Sequence, residues 1–422
     1  MKFRFLKQLA LLLSISVLNV YCGDQIFISE PVVVSDFVGS EFYGYVDGVG
    51  DKTMFQPSFD TSGSGRSFLS LTANPDGSIY LLDGNGLQRR MRKITQDAVV
   101  STFGDLTKVP TITSMVHDGL NSFFVWNYSR NAIFKLSEST FISEIYKSGV
   151  QSEVAKLIGG FASGMCVDSQ GGVYISSFKE NKIFRITSTG TYEVFAGSGN
   201  SGRTDGNGIF TSFNGPDNIV CDKFDNVYVN DSGNQCIRKI DKARNVTTFS
   251  GIDSTRQYND GEKQVSGVGI IKGMSIDKNG NIFISTGKSI KMLDVNGTLK
   301  SIAGNYSSGG YKNGSGQISL FDRPIDLVCY NNFVFVYDTT RIRKITIGES
   351  SIKKPVDNIS IKLSAGITIN GNVGKKYSIE SSSDGGKQWN QVILLDLQKN
   401  PFTWYDENSV GTNNLYRVFE TP

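Results

Sequence analysis

Short apolar runs separated by polar turn residues set the pattern of this chain from about residue 70 to residue 347. One run recurs with an aromatic residue at its centre: Tyr80, Phe124, Tyr174, Tyr228, Phe283 and Phe335, at intervals of 44, 50, 54, 55 and 52 residues. Each copy is followed by a second run with a basic-apolar end: Arg92-Lys93-Ile94, Phe134-Lys135-Leu136, Phe184-Arg185-Ile186, Arg238-Lys239-Ile240, Lys291-Met292-Leu293 and Arg343-Lys344-Ile345. A repeat of this period marks a propeller or a solenoid. The fourth unit displays four strand-like runs, residues 218–222, 226–230, 236–240 and 245–250, with turn residues at 223–225 and 231–234. No repeat segment carries a 3.6-residue period over a dozen residues, which excludes crossover helices and a parallel α/β sheet. The pattern predicts an all-β six-bladed β-propeller of four-stranded antiparallel blades.

The ends of the repeat region predict how the ring closes. Units finish on an outer strand and a glycine, as at Gly104, Gly197, Gly251 and Gly304, but the sixth unit stops after Ile347 without one. The run at 32–39, Val-Val-Val-Ser-Asp-Phe-Val-Gly, supplies the missing strand, so the N-terminal strand completes the last blade and removes the open edges. Residues 31–347 form the propeller, and 348–357, ending its repeat character around Pro355, is a linker. From 358 to 422, alternating runs near 359–363, 366–370, 376–380, 391–395, 402–405 and 415–419 predict a small C-terminal β-sandwich. Trp389 and Trp404 are expected as core anchors of that sandwich rather than as a sugar-stacking platform.

The fourth unit carries a specific resemblance. Gly202-Arg-Thr-Asp-Gly206-Asn-Gly208, Phe213-Asn-Gly-Pro216, Asn226-Val-Tyr-Val-Asn-Asp231, Asn234, and Ile237-Arg-Lys-Ile240 resemble the NHL-repeat family, and weaker copies extend across residues 31–347. Partial Asp-Gly loops recur at Asp47-Gly48, Asp260-Gly261 and Asn313-Gly314. The resemblance implies a six-bladed propeller used mainly as a binding platform, with some enzyme relatives. The C-terminal runs around Tyr377, Trp389, Trp404 and Tyr416 resemble small sandwich modules of secreted bacterial proteins. Asp205, Asp231 and Asn234 are expected to form turns, because Asp and Asn side chains bind nearby backbone amides there. Calcium is the alternative reading of the Asp-Gly loops, though none has the spaced acidic set of an EF-hand.

The N-terminus changes the picture of where the protein works. A basic start, an apolar run from Leu9 to Val20 and a polar exit make 1–22 a secretory signal peptide, too short for a transmembrane helix. Leu18-Asn-Val-Tyr-Cys22 also resembles a lipoprotein signal, in which Cys22 would carry a lipid anchor, although Tyr21 departs from the small residue usual before that cysteine. The protein is therefore expected to be exported, to the cell envelope or beyond, with no transmembrane segment in the mature chain. Cys166, Cys221, Cys236 and Cys329 remain in a disulfide-permitting compartment, but three of them lie inside apolar runs, and free buried cysteines are the expectation.

Composition then narrows the chemistry. Of 422 residues, 46 are glycine and one is histidine, His117, with a net charge of +3. The single histidine excludes the histidine-rich zinc site of the peptidyl-hydroxyglycine lyases, which share this propeller type, and the alignment of the repeats packs His117 between blades. Gluconolactonase-like propellers instead gather Glu, Asp and Asn round a divalent cation at the channel mouth. In the repeat frame the mouth position is Ser70, Ser114, Gly164, Asn218, Gly273 and Asp326, and its neighbour Leu69, Thr113, Ser163, Asp217, Lys272 and Ile325. Asp217, Asn218 and Asp326 are the strong oxygen ligands among them, a thin set for Ca2+ or another divalent cation. The basic runs alternate between two faces and are spaced round a ring, so pairing with carboxylates of neighbouring blades is expected rather than nucleic-acid binding. The reading is an exported binding scaffold with no cofactor, taking a protein or glycan partner through interblade loop residues Phe210, Arg256, Tyr258, Tyr306 and Tyr311. The alternative is a metal-dependent lactonase-like hydrolase.

Overall fold

A computed structural model describes residues 32–56, 70–84, 89–106, 112–120, 122–127, 132–137, 143–145, 162–251, 259–262, 266–316 and 318–348, and in the C-terminal part 366–369, 376–382, 390–396, 402–405 and 415–420. The leader with Cys22, the run at 359–363, Leu69, Arg256, Tyr258 and Trp389 lie outside these residues. The chain divides into two compact units after residue 351.

The first unit is a six-bladed β-propeller. Six antiparallel sheets follow one another, and in the first five the four main strands run in sequence order from the channel outwards. The last blade is built from Pro324–Tyr330, Phe333–Asp338 and Arg341–Thr346, and Val33–Gly39 completes it by pairing antiparallel with Arg341–Thr346, Val33 opposite Thr346 and Gly39 opposite Arg341. Blades one, four and six gain a short fifth strand from the Asp-Gly loops, Gly48–Val49, Gly206–Asn207 and Gly314–Ser315, which covers the outer edge.

Alternation along the strands explains the core. Successive side chains of a strand point to opposite faces, so Ile79 and Leu81 pack against blade six while Tyr80 and Leu82 pack against blade two. The same division yields a separate apolar cluster at each of the six seams between blades. In five blades the central aromatic stands opposite a basic residue of the third strand and beneath its charge: Lys93 over Tyr80, Lys135 over Phe124, Arg185 over Tyr174, Lys239 over Tyr228 and Lys344 over Phe335.

The other basic set is buried. Arg92, Arg238 and Arg343 are fully enclosed, and each meets two carboxylates: Arg92 with Asp83 at 2.7 Å and Asp47 at 2.8 Å, Arg238 with Asp205 at 2.6 Å and Asp231 at 2.9 Å, and Arg343 with Asp338 at 3.3 Å and Asp36 at 3.9 Å. Phe55, Phe213 and Phe321 lie under the three guanidinium groups. In blade five Lys291 holds Asp260 at 2.7 Å in the same way. The pairing therefore runs within a blade and to its own entry loop or closing strand, not from blade to blade as expected. Asp205 and Asp231 are likewise not simple turn formers: they neutralise Arg238, and Asn234 ties Asp231 to the Gly202 carbonyl. Turn chemistry belongs to a different set, Asp118, Asp168, Asp222 and Asp277, each accepting two backbone N–H groups in the hairpin after an inner strand.

Cys166 and Cys221, expected as free thiols, form a disulfide between blades three and four, with Cα atoms 5.9 Å apart. Cys166 lies eight residues before Tyr174 and Cys221 seven before Tyr228. That one-position offset turns their side chains to opposite faces, which is what two adjoining blades present to a shared seam. Cys236 and Cys329 are free, and burial pushes the Cys236 thiol up to about 12.

The second unit contains two small antiparallel sheets, one of Gly366–Ile369 with Phe402–Tyr405, the other ordered Asn390–Asp396, Lys376–Ser382, Leu415–Glu420.

Candidate functional site

The inner strands Leu71–Ala73, Ile112–His117, Ala162–Val167, Pro216–Cys221, Ile271–Ile276 and Pro324–Tyr330 adjoin one another in ring order round the channel. Each pairs with its own second strand on one side and leaves the other edge toward the axis, where its backbone groups need partners. The neighbouring blade provides them. Asp326 of blade six accepts the Leu71 N–H of blade one at 2.8 Å, the Ser70 hydroxyl bonds both the Met115 N–H and carbonyl of blade two, and Thr72 accepts the His117 N–H. Asn218 of blade four donates to the Lys272 carbonyl of blade five at 3.3 Å, and Ser275 of blade five accepts the Cys329 N–H of blade six.

Where the mouth position is glycine, the next blade comes too close for a side chain. A Cβ on Gly164 would lie 2.9 Å from the Asp217 carbonyl oxygen, and one on Gly273 would lie 2.6 Å from both Cα and Oδ1 of Asp326. At Ser70, Asn218 and Asp326 the mouth position caps the exposed edge of the next blade, and at Gly164 and Gly273 it vanishes to admit it. Asp326 accepts a second amide, that of Leu327, at 2.8 Å. It is half-buried, and burial pushes its carboxyl up to about 7 despite these two amides.

A β-bulge separates that position from its neighbour. In blades two to six the ladder between first and second strands slips at the mouth, extruding Thr113, Ser163, Asp217 with Asn218, Lys272 and Ile325. Bulges commonly re-aim side chains beside functional sites. Five of these residues, Thr113, Ser163, Asp217, Asn218 and Lys272, keep some solvent exposure, so the mouth offers hydroxyl, carboxylate, amide and ammonium groups. Of the three candidate metal ligands, Asn218 and Asp326 are engaged with backbone at different seams. Among the described residues no three His, Cys, Asp or Glu side chains form a group that could hold a metal ion.

The other sequence candidates scatter. His117 is buried at the seam of blades one and two, stacked on Tyr80 and edge-on to Phe123, and its Nδ1 accepts the Gly119 N–H. Phe210 is 80% exposed but sits on the outer rim, since Gly206–Asn207 before it pairs with the outer strand Asn245–Ser250 and Gly208 bonds Arg244 in the turn beyond. Tyr311, 46% exposed, is tied to the closing strand: its hydroxyl donates to Asp36 and its ring lies under Arg341 at 4.0 Å. Burial and the Asp36 hydrogen bond raise its hydroxyl above the ordinary value. Tyr306 does lie on the loop-rich face, its ring against Gly287 in the hairpin of blade five. Sequence reasoning missed Phe178, 41% exposed in the hairpin of blade three with its ring against Gly215. An aromatic residue in a hairpin that otherwise reads Ser-Ser-x-Lys-Glu-Asn was the available signal.

No protein-family model matches the chain, and no curated protein matches it in sequence. Solved structures do. An auxiliary nutrient binding protein from Bacteroides thetaiotaomicron superposes with TM-score 0.57 and 17% identity over 76% of this chain and 78% of that one. A second, from Bacteroides ovatus, gives 0.54 and 16% over 75% and 76%. A Bacteroides thetaiotaomicron protein of unknown function gives 0.58 and 17% over 75% and 76%. Likeness at this identity defines the class, a six-bladed β-propeller, and nothing narrower. Among the described residues no helix is long and apolar enough to cross a membrane.

Proposed function

We propose that this chain is an exported NHL-type propeller that acts as a binding scaffold without catalysis, taking a protein or glycan partner at the loop-rich mouth of its channel. One observation carries the reading: Asn218 and Asp326, the oxygen ligands a hydrolytic metal would need, are each committed to closing a seam, and the bulged ring beside them leaves a mixed polar surface. A rigid ring with variable loops on one face suits recognition. The nutrient-binding description of two superposable structures supports a ligand of that kind and a place in the cell envelope or outside it. The recurring Asp-Gly loop, aromatic, aspartate and arginine set supports the NHL assignment, and the C-terminal strands fit a β-sandwich module beside it. The signal-like N-terminus fits export, with Cys22 as the point where a lipid anchor would attach.

The test is a lactone panel with and without calcium, together with elemental analysis of the purified full chain. We expect neither turnover nor stoichiometric metal. Calcium-dependent hydrolysis that disappears in Asp326→Ala would replace the scaffold by a metal-dependent lactonase.

A further inference from the structure

We infer that the face opposite the mouth lies on a phospholipid bilayer: the hairpin tips Leu120, Phe224 and Val295 enter its interface, and the mouth opens away from it. This rests on the export and lipid-anchor reading above. In blades two to five the hairpin after the inner strand uses one turn, in which an aspartate accepts two backbone N–H groups. The residue two places after that aspartate is the tip: Leu120, Gln170, Phe224 and Asn279 in turn. Equivalent positions of a ring stand at one height. The turn asks nothing of the side chain there, since polar Gln170 and Asn279 serve it, yet Leu120 is 75% and Phe224 64% exposed. On the same face Val295, 48% exposed in the outer hairpin of blade five, stands over Gly280 of the inner hairpin, where a Cβ would lie 3.2 Å from its Cγ1. Taking such a side chain fully out of water is worth about 1.5–3 kcal/mol, so a bilayer against this face gains from all three.

The N-terminal strand begins on this face. Val33 pairs with Thr346, and the Ile347 N–H donates to the Asn332 carbonyl in the inner hairpin of blade six, whereas Gly39, at the far end of the strand, pairs with Arg341 on the mouth side. Cys22 lies eleven positions before Val33, a reach of at most about 40 Å. Turning the mouth to the membrane would take up about 20 Å of that reach, because the tether would have to run back along the seven-residue strand. A tether this short makes the tip contact effectively intramolecular, so tips too weak to hold a free chain still orient an anchored one. Charge does not supply the attraction. Among the described residues the exposed tip charges are Asp76 and Asp97 against Lys223, Lys242 and Lys278, with Lys242 paired to Asp225 at 2.9 Å. Behind them the turn aspartates Asp118 and Asp168 hold Lys135 and Arg185. Such a mixture makes no basic field for anionic headgroups, and the apolar tips together with the tether select a bilayer.

The test uses the full chain purified from bacterial membranes, checked by mass for lipid on Cys22, in phosphatidylcholine vesicles with brominated acyl chains. Relative to wild type, Leu120→Trp and Phe224→Trp should each add fluorescence that the bromines quench about twofold, because an interfacial side chain sits about 5–10 Å into the acyl boundary. Phe178→Trp, on the mouth, should add fluorescence that is not quenched, and salt should change neither result. Leu120→Ser combined with Phe224→Ser, both at exposed positions, should unfold at the wild-type temperature and should reduce the quenching of Val295→Trp severalfold. A lipid-bearing chain whose tip tryptophans are quenched no more than Phe178→Trp overturns this proposal alone. Quenching that appears only when anionic lipid is added overturns it as well. A Cys22 without lipid removes the tether and overturns it together with the anchor reading, while the binding-scaffold reading stands.

Discussion

At the scale of single residues, the least exposed charges are those that hold the blades to their entry loops. Arg238 is fully enclosed, with Asp231 as deeply buried and Asp205 half open, and it also donates to the carbonyls of Ser212 and Thr204. Removing the guanidinium leaves Asp231 charged and unpaired, so Arg238→Ala should cost about 3–5 kcal/mol in denaturant unfolding. Arg238→Lys keeps the charge but not the planar fork that reaches two carboxylates and two carbonyls, and should fall between wild type and Arg238→Ala. Asp326 poses a different case, an acid raised by burial to about 7 from an ordinary 3.8. The folded state keeps the proton across that interval while the unfolded state has lost it, so the contribution of Asp326 to stability is full below pH 4 and declines as pH rises through 7. Unfolding curves at several pH values should therefore shift in favour of Asp326→Asn, relative to wild type, between pH 4 and 7. Parallel curves would mean that the carboxyl titrates normally.

At the scale of elements, each inner strand is an edge strand facing a channel, and its neighbours treat it as one. Edge groups at the seams are capped by Ser70, Thr72, Asn218, Ser275 or Asp326, and the seam between blades three and four adds a covalent link. The Cys166–Cys221 bridge encloses a sequence separation of 55 residues, for which chain-entropy reasoning gives about 4 kcal/mol. Paired substitution to Ser, compared with wild type under oxidising and reducing conditions, should lower stability by up to that amount, and reduction should no longer affect the substituted chain. The repeat frame made the strands, their order and the mouth positions legible in sequence, because periodicity of two and a 44–55-residue repeat are local signals. It did not reveal the disulfide, whose two cysteines look equivalent by eye and differ by one position in the frame. Nor did it reveal that Arg238 turns inward to its own blade: a basic residue in a strand looks exposed until its aspartates are brought from 7 and 33 residues away. Nor did it reveal that Tyr311 is tied to the closing strand, since Asp36 lies 275 residues distant.

At the scale of the whole molecule, the ring is closed by residues from opposite ends of the propeller sequence. Val33–Gly39 brings Val34 into the seam of blades five and six and Val38 into that of blades six and one, both almost fully buried. Its Asp36 serves Arg343, Tyr311 and Asn313 in turn. Without this strand the edge of Arg341–Thr346 would stand unpaired, an invitation to pairing with another chain. Val38→Asp places a charge among Phe55, Tyr337 and Ile342, beside an Arg92 already paired with Asp83 and Asp47, and should cost about 3 kcal/mol or more. Val33→Asp, at a position 40% exposed on the same strand, should stay within about 0.5 kcal/mol of wild type. Because the damage falls on closure rather than on a single blade, light scattering should also detect concentration-dependent association in Val38→Asp and none in Val33→Asp. A monomeric Val38→Asp chain with wild-type thermal stability would mean that the other five seams suffice to hold the ring, and that the N-terminal strand ornaments the last blade without closing it.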